Sequence, residues 1–365
     1  MPELTKWVAQ SGHHHAWDRY LDAWPRHEVF AKPTYLNLYL EEHQSAVCLH
    51  FAHDAGELIY PLIVRGLDEL DFVKGPLAEH RDLVTAPFGT GGPYVRYAED
   101  EVRLVRAFYA AYEGWCHDEK VIAEYTTFPP VEPRTVGYPG DVAERMPVVV
   151  KPLQGRDVLA DMNATKRNEV RQAMAKGVTV DVDVDGAEIE GFVDAYVDTK
   201  RRQTGFHDGL DMSTQGVRRL INALTPDIVL FHARHGDRVI ASALVLCSGT
   251  SLIYHRAGSL SETMRLRGAQ LLLFSISAWG RDHGYERLLI GGGTASDPQG
   301  PLFRYKASFT RQPAVPLFVG RWVVDRPAYA AVNEARTRYD AQAPDVDPRN
   351  GFFPAYRAPL MRPHQ

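Results

Sequence analysis

The residue whose type and surroundings most favour chemistry is Lys306, a cation within the apolar and aromatic segment Pro301–Phe309. An ammonium group in surroundings that exclude water stabilises negative charge that develops on an oxygen, and one such donor contributes roughly 3 kcal/mol. A surface lysine whose stem packs on Phe303 and Phe309 would produce the same pattern. We predict that Lys306 is a catalytic cation and keep the surface lysine as the alternative.

Two further side chains are candidates for accepting a proton. His255 follows Tyr254 in a predicted strand, and an imidazole titrates near neutral pH. Asp297 lies in the loop after three consecutive glycines at 291–293, although Asp-Pro is also a turn signal. Because a lone histidine is more often structural and a substrate phosphate can also accept a proton, the identity of the base stays open.

The segment 265–270 combines two arginines, Arg265 and Arg267, with Gly268 at the start of a predicted helix. A helix N-terminus presents unpaired N–H groups and partial positive charge, which suits a phosphate. The segment partly resembles the coenzyme A loop of GNAT-type acetyltransferases, but Gln270 replaces the last small residue of that pattern. The alternative is an ordinary loop that happens to contain Arg-Gly.

A basic helix is predicted at 160–176, with Arg167 and Arg171 on one face. Basic side chains at this spacing suit a phosphate group. A second basic cluster, 200–202, ends the next predicted helix at 186–202, where the helix dipole alone favours basic residues.

The elements around these residues repeat one order in the two halves of the chain: strand, turn, strand, loop, helix, strand. This order predicts a duplicated α/β unit with a mixed sheet. We place the domains at 1–150 and 151–365, with the proline-rich stretch 129–155 as the crossing segment. The predicted elements are strands 46–53, 57–65, 121–128, 228–234, 238–247, 251–256 and 285–290, with helices 99–118 and 269–283.

Composition and charge reduce the number of possible protein classes. The chain has 365 residues, 45% hydrophobic and 24% charged, which is typical of a folded protein, and its net charge of −5 argues against nonspecific binding to nucleic acid. No apolar run is long enough for a membrane span, so a cytoplasmic location is expected. Cys48, Cys116 and Cys247 are predicted to be buried free thiols, and the histidine run 13–15 a solvated tail without a metal.

Three segments in a fixed order, 165–178, 267–293 and 301–309, resemble the FemAB family, and the glycine-rich stretch 87–94 resembles the segment that lines its acceptor cleft. The resemblance implies two tandem GNAT-like domains and transfer of an aminoacyl group from charged tRNA to an amine, on a peptidoglycan precursor or a small antibiotic intermediate. It places the family's motif lysine at Lys306. The chain departs from the family at Tyr305, where phenylalanine is usual, and lacks a pair of long heptad helices.

The resemblance implies no cofactor beyond the aminoacyl-tRNA co-substrate, and no DNA partner. Two alternatives stay open: an acyl-CoA-dependent N-acyltransferase, and a noncatalytic binding protein with the same fold. The candidate catalytic residues are Lys306, His255 and Asp297. The candidate substrate-binding residues are Gly91, Tyr94, Arg167, Tyr254, Arg265, Arg267, Gly268, Gly292, Phe303 and Tyr305.

Overall fold

The computed structural model describes residues 3–9, 15–24, 26–155, 157–202, 211–294, 297–341 and 351–359. The chain forms two compact units. The first unit combines Met1–Arg145 with Leu317–Gln365, and the second is Met146–Pro316.

The first unit contains a mixed sheet in the strand order β1-β2-β3-β4-β6-β13, with β5 paired to β3. The neighbours are antiparallel except for β4 and β6, which run parallel and are connected through a helix, α3. The elements are β1 (Glu3–Ala9), α1 (His15–Asp22), α2 (Pro33–Asn37), β2 (Gln44–His53), β3 (Gly56–Gly66), β4 (Arg81–Val84), β5 (Tyr94–Ala98), α3 (Glu101–Asp118) and β6 (Val121–Thr127), joined late in the chain by β13 (Val315–Val323) and α9 (Arg326–Asp340).

The second unit contains a mixed sheet in the order β7-β12-β11-β10-β9-β8, antiparallel except between β11 and β12. The elements are β7 (Asp141–Pro152), α4 (Ala164–Ala175), β8 (Val178–Asp183), α5 (Ile189–Arg201), α6 (Thr214–Leu224), β9 (Ile228–His235), β10 (Arg238–Ser248), β11 (Ser251–Ser259), α7 (Gly268–Asp282), β12 (Arg287–Gly292) and α8 (Pro301–Ala307).

Helices α5 and α7 cover opposite faces of this second sheet. Gly258 of β11 lies against α5, where an added Cβ atom would come within 2.3 Å of Ala195 backbone atoms. Its neighbour Ala257 packs instead into the core that contains Leu271 and Leu272 of α7. Successive strand residues point to opposite faces of the sheet. Residues of both α5 and α7 can therefore line a gap in the sheet near Ala257 and Gly258.

Such a gap forms between β11 and β12. Their parallel pairing covers Ser251–Ile253 and Arg287–Leu289, while β11 continues to Ser259 and β12 to Gly292. The register of β11 against β10 also shifts at His255, which is the extra residue of a β-bulge. A bulge bends its strand and redirects its side chains, so β11 turns its second half toward the gap.

A buried ion pair anchors the segment that follows α8. Lys151 of β7 is fully buried, and its ammonium donates to the Asp161 carboxylate at 2.9 Å and to the carbonyls of Phe309 at 2.8 Å and Val158 at 3.0 Å. Asp161 also accepts a hydrogen bond from Thr310 Oγ1 at 2.7 Å. Burial opposes its ionisation, but the hydrogen bonds from Lys151 and Thr310 hold the pKa of Asp161 below its ordinary value.

The predicted mixed α/β class and the repeated order of elements are confirmed. The helix predicted at 269–283 is α7, and it ends before Gly284, whose φ of +82° suits glycine after a helix. The three cysteines are free and buried, as predicted. None of the described helices is long and apolar enough to cross a bilayer.

Three expectations need correction. Residues 129–155 are not only a crossing segment, because β7 occupies Asp141–Pro152 despite the prolines around it. Residues 317–365 group with the first unit rather than with the second domain, since β13 pairs antiparallel with β6. The strand predicted at 285–290 is β12 at Arg287–Gly292, and Lys306 follows it in the short helix α8.

Replacing Lys151 with methionine should lower the free energy of unfolding by about 3–5 kcal/mol, because Asp161 would remain as an uncompensated buried charge. Adding Asp161→Asn should restore part of that loss, since the amide can still accept from Thr310. Urea denaturation of the full chain measures both. The control is Arg238→Ala, which breaks an ion pair with Glu262 whose side chains are 60% and 61% exposed, and which should cost about 1 kcal/mol or less. Equal losses for Lys151→Met and the control would contradict the anchoring role.

Candidate active site

A cavity of about 540 Å³ occupies the gap at the end of β11 in the second unit. The second half of β11 forms one wall, and the residues after β12 contribute Gly293 and Thr294. The C-terminal end of α5 lines it from one face of the sheet, and the first turn of α7 lines it together with α8. All of these lining residues belong to the second unit.

Lys306 lies in this cavity, and its ammonium donates to the carbonyl of Gly292 at 2.8 Å. Gly291 leaves room for it, because an added Cβ atom there would be 3.3 Å from Nζ. Burial, with a smaller contribution from the positive charge of Arg256, lowers the pKa of Lys306 to about 8. An ammonium carries three donors, so the bond to Gly292 leaves capacity for a substrate oxygen.

His255 also lines the cavity, where the β-bulge places it. Its Nε2 atom is buried and has no hydrogen-bond partner among the described residues. Burial and the neighbouring Arg256 charge hold the pKa of His255 well below its ordinary value, so the imidazole is neutral at pH 7. Asp297, the other candidate base, is exposed and outside the lining. Its N–H donates to Thr294 Oγ1 at 3.1 Å, as in the turn that was the alternative interpretation.

Tyr254 and Tyr305 are brought together on the α7 side of the cavity. The Tyr305 ring packs edge-on against Phe309, with centroids 5.2 Å apart, and the Lys166 ammonium lies over it at 4.8 Å. Burial raises the pKa of both phenols, so both hydroxyls are protonated at physiological pH. Phe303 packs against the same hydrophobic core and is not in the lining.

The predicted phosphate loop opens α7 at the cavity. Arg267 adopts a left-handed conformation, with φ of 61°, directly before the helix. Gly268 is its first residue, and an added Cβ atom there would come 2.8 Å from Ile240, so the close packing requires glycine. The Arg267 guanidinium is 42% exposed and lies 3.6 Å from Glu169. Arg265 is exposed and outside the lining, and its carbonyl accepts from Lys176.

The other predicted binding residues are not among the residues that line the cavity. The Arg167 guanidinium donates to the carbonyl of Met162 at 2.5 Å, in the loop before its own helix. Gly91 and Tyr94 are in the first unit, where Tyr94 is buried and its hydroxyl donates to Thr90 O at 2.7 Å. Their substrate-binding roles, like those of Arg265 and Phe303, stay predictions, as does the catalytic role of Asp297.

The described residues that line the cavity include five cations and no carboxylate. Among them, Arg256 lies within the strand β11, and sequence reasoning missed it although a charge at the end of a predicted strand was a visible signal. Lys200 at the end of α5 was assigned to the helix dipole, yet it lines the cavity, and burial with the Arg256 charge lowers its pKa to about 8. The five cations are Lys200, Arg202, Arg256, Arg267 and Lys306.

No cluster of three or more potential metal ligands occurs among the described residues. The histidine run 13–15 lies outside the residues whose side chains are described. The cavity therefore offers hydrogen-bond donors and positive charge, which suit an anionic ligand and a reaction that develops negative charge on oxygen.

A known protein family with acyl-transfer chemistry matches part of this chain. Residues 161–307 match the model of the acetyltransferase (GNAT) domain, which spans α4 to α8. No curated protein matches the sequence as a relative.

Solved structures share the fold over most of the chain. The crystal structure of FemX superposes with a TM-score of 0.66 at 13% identity, covering 90% of this chain and 99% of FemX. The C-terminal domain of a putative lysylphosphatidylglycerol synthetase from Agrobacterium fabrum gives 0.52 at 14% identity, covering 90% of this chain and 96% of that domain. L-PGS from Bacillus licheniformis gives 0.53 at 9% identity, covering 89% of this chain and 96% of that structure.

With Lys306 and the α7 N-terminus lining one cavity inside the matched segment, the chain is an acyltransferase that carries a GNAT domain at residues 161–307 and has a FemX-like fold.

Proposed function

We propose that this acyltransferase transfers an aminoacyl group from charged tRNA to an amine, forming an amide bond. The observation that carries the proposal is the Lys306 ammonium, held by Gly292 in a cavity whose described lining has five cations and no carboxylate. In this reaction the amine nitrogen attacks the ester carbonyl, the C–N bond forms, the C–O bond to the ribose breaks, and the ribose hydroxyl leaves with a proton.

Lys306 has the role of stabilising the tetrahedral oxyanion. Its ammonium is preorganised by the Gly292 carbonyl and surrounded by protein, so a new charge–charge contact is stronger there than in water. Its lowered pKa reflects the same desolvation. A cation that is poorly solvated before the reaction gains most when negative charge develops beside it.

The nucleophile must be a neutral amine, and His255 is the protein group best placed to take its proton. The imidazole lines the cavity, is neutral at pH 7 and has a buried Nε2 atom without a partner among the described residues. The leaving ribose oxygen is the final proton acceptor. Because the low pKa makes His255 a weak base, its role is to relay the proton rather than to hold it.

The first turn of α7 is the proposed phosphate site for the donor. Arg267 and Gly268 line the cavity at the helix N-terminus, where the N–H groups and the guanidinium suit a phosphodiester of the tRNA acceptor end. The acceptor is a peptidoglycan precursor or a small amine of a biosynthetic intermediate. The FemX-like fold over 90% of the chain supports the choice of an aminoacyl donor.

An acyl-CoA donor is the second candidate, and one observation favours it. Gly268 begins α7 at the cavity, and the N–H groups of this helix N-terminus also suit a pyrophosphate. This alternative keeps Lys306 in the same role, because both donors react through a tetrahedral oxyanion.

Lys306→Ala should reduce kcat by about 10²–10³-fold, which is the usual effect of removing one oxyanion donor. Single-turnover transfer, measured with saturating donor, tests the chemical step. The matched control is Arg304→Ala, which removes an exposed cation from the same helix and should leave kcat within about twofold. Wild-type kcat in Lys306→Ala would rule out the oxyanion role.

The rate should fall as pH rises through about 8, because Lys306 loses its charge there and a neutral amine no longer stabilises the oxyanion as strongly. Below that pH the rate should rise with pH as the attacking amine is deprotonated. The measurement is kcat against pH at saturating substrates. In Lys306→Arg the guanidinium stays charged, so this variant should have a lower kcat that no longer falls near pH 8. If kcat of the variant still falls near pH 8, the titrating group is not Lys306.

The donor is tested by incubating the purified protein with a pool of charged tRNAs and a pool of acyl-CoAs, with a mixture of amines, and following deacylation and product by mass spectrometry. We expect tRNA-dependent product and no thermal shift with coenzyme A. A clear thermal shift with coenzyme A, together with loss of acyl-CoA, would replace the leading proposal with the second.

A further inference from the structure

The hydroxyl of Tyr305 is buried and has no hydrogen-bond partner among the described residues. The residue lines the cavity and is adjacent in sequence to Lys306. Native proteins satisfy the large majority of their buried polar groups, so an unsatisfied hydroxyl beside a reaction site calls for an explanation. A substrate group is an explanation that requires no rearrangement of the protein.

The Tyr305 ring is fixed in place. The Lys166 ammonium lies over its face at 4.8 Å, and Lys166 is itself held by Glu169 at 2.5 Å. Phe309 packs against the ring edge-on, and the Lys151 ammonium binds the Phe309 carbonyl. A ring held from two sides presents its hydroxyl in a defined position, which is the requirement for selecting between similar ligands.

Tyr305 and Lys306 both belong to α8 and line the same cavity. If Lys306 binds the reacting carbonyl oxygen, groups attached to the next carbon of the acyl chain lie within a few ångströms of that ammonium. We propose that the Tyr305 hydroxyl binds the α-amino group of the aminoacyl donor and so selects aminoacyl over unsubstituted acyl groups. This inference rests on the proposed function.

The charge of the cavity decides the form in which that amino group binds. The described lining supplies cations, Lys306 among them, and no carboxylate, so it disfavours a charged α-ammonium. A phenol hydroxyl is uncharged and can accept a hydrogen bond from a neutral amine. Tyr305 therefore provides recognition without introducing negative charge next to the cation that stabilises the oxyanion.

The test compares two donors on the same tRNA: an aminoacyl ester and the matching acyl ester that lacks only the α-amino group. The wild-type enzyme should prefer the aminoacyl donor in kcat/KM, and Tyr305→Phe should reduce that preference about tenfold, which is the effect of one lost hydrogen bond to a buried group. Comparing ratios between variants cancels the different intrinsic reactivities of the two esters.

The matched control is Tyr196→Phe. Tyr196 lines the same cavity from α5, on the opposite face of the sheet, and its buried hydroxyl also has no partner among the described residues. Its removal should leave the donor preference unchanged. Thermal unfolding adds a readout for a structural role: since the Tyr305 hydroxyl has no partner to lose, Tyr305→Phe should not lower Tm.

Each outcome decides the inference. A reduced preference in Tyr305→Phe, with unchanged Tm and an unchanged preference in Tyr196→Phe, supports it. An unchanged preference in Tyr305→Phe, in an enzyme that does use aminoacyl-tRNA, overturns it while the proposed function stands. A wild-type enzyme that consumes neither tRNA donor overturns the proposed function, and the inference with it.

Discussion

The buried pair of Lys151 and Asp161 is the constraint on which the candidate site depends. The pair joins three segments that are distant in sequence: the strand β7, the turn before α4 and the chain that leaves α8. Because Lys151 donates to the Phe309 carbonyl and Asp161 accepts from Thr310, the C-terminal end of α8 is fixed next to β7. A seven-residue helix is too short to be stable alone, so its position has to come from such tertiary contacts.

The cavity itself follows from an interruption of the sheet. Strands β11 and β12 pair over three residues each and then continue without pairing with one another, and the bulge at His255 bends β11 in the same place. The sheet is covered by α5 on one face and α7 on the other, so the gap connects two layers. Tyr196 and Lys200 of α5 and Gly268 of α7 therefore line the same cavity as Lys306.

The sequence was sufficient to predict most of the second unit, because α7 and its flanking strands have clear apolar periodicity and Gly284 ends the helix. It also led to Lys306, through its aromatic surroundings and its place in the segment 301–309, which resembles the FemAB family. Strand β7 was missed because prolines flank it, and Lys151 was missed because a lysine in an apolar strand is identified as an anchor only when its partners, 10 and 158 residues away, are known. For Arg167 the helix was predicted correctly, but the direction of the side chain was not. The guanidinium donates to the nearby carbonyl of Met162, and such a local contact decides where a long side chain points.

In the proposed reaction, the site would stabilise two kinds of negative charge in two different ways. A phosphate is charged before, during and after the reaction, so the fixed dipole of α7 and the guanidinium of Arg267 suit it. The oxyanion exists only during the reaction, and a strongly solvated cation would lose much of its hydration to reach it. Lys306 is already desolvated, as its pKa of about 8 reflects, and the cost of that desolvation is met in the folded protein by the Gly292 carbonyl rather than at the moment of reaction. The same desolvation sets a limit on this role, because the pKa of Lys306 already lies close to physiological pH. Deeper burial, or a shorter distance to Arg256, would remove the proton on which the function of the lysine depends.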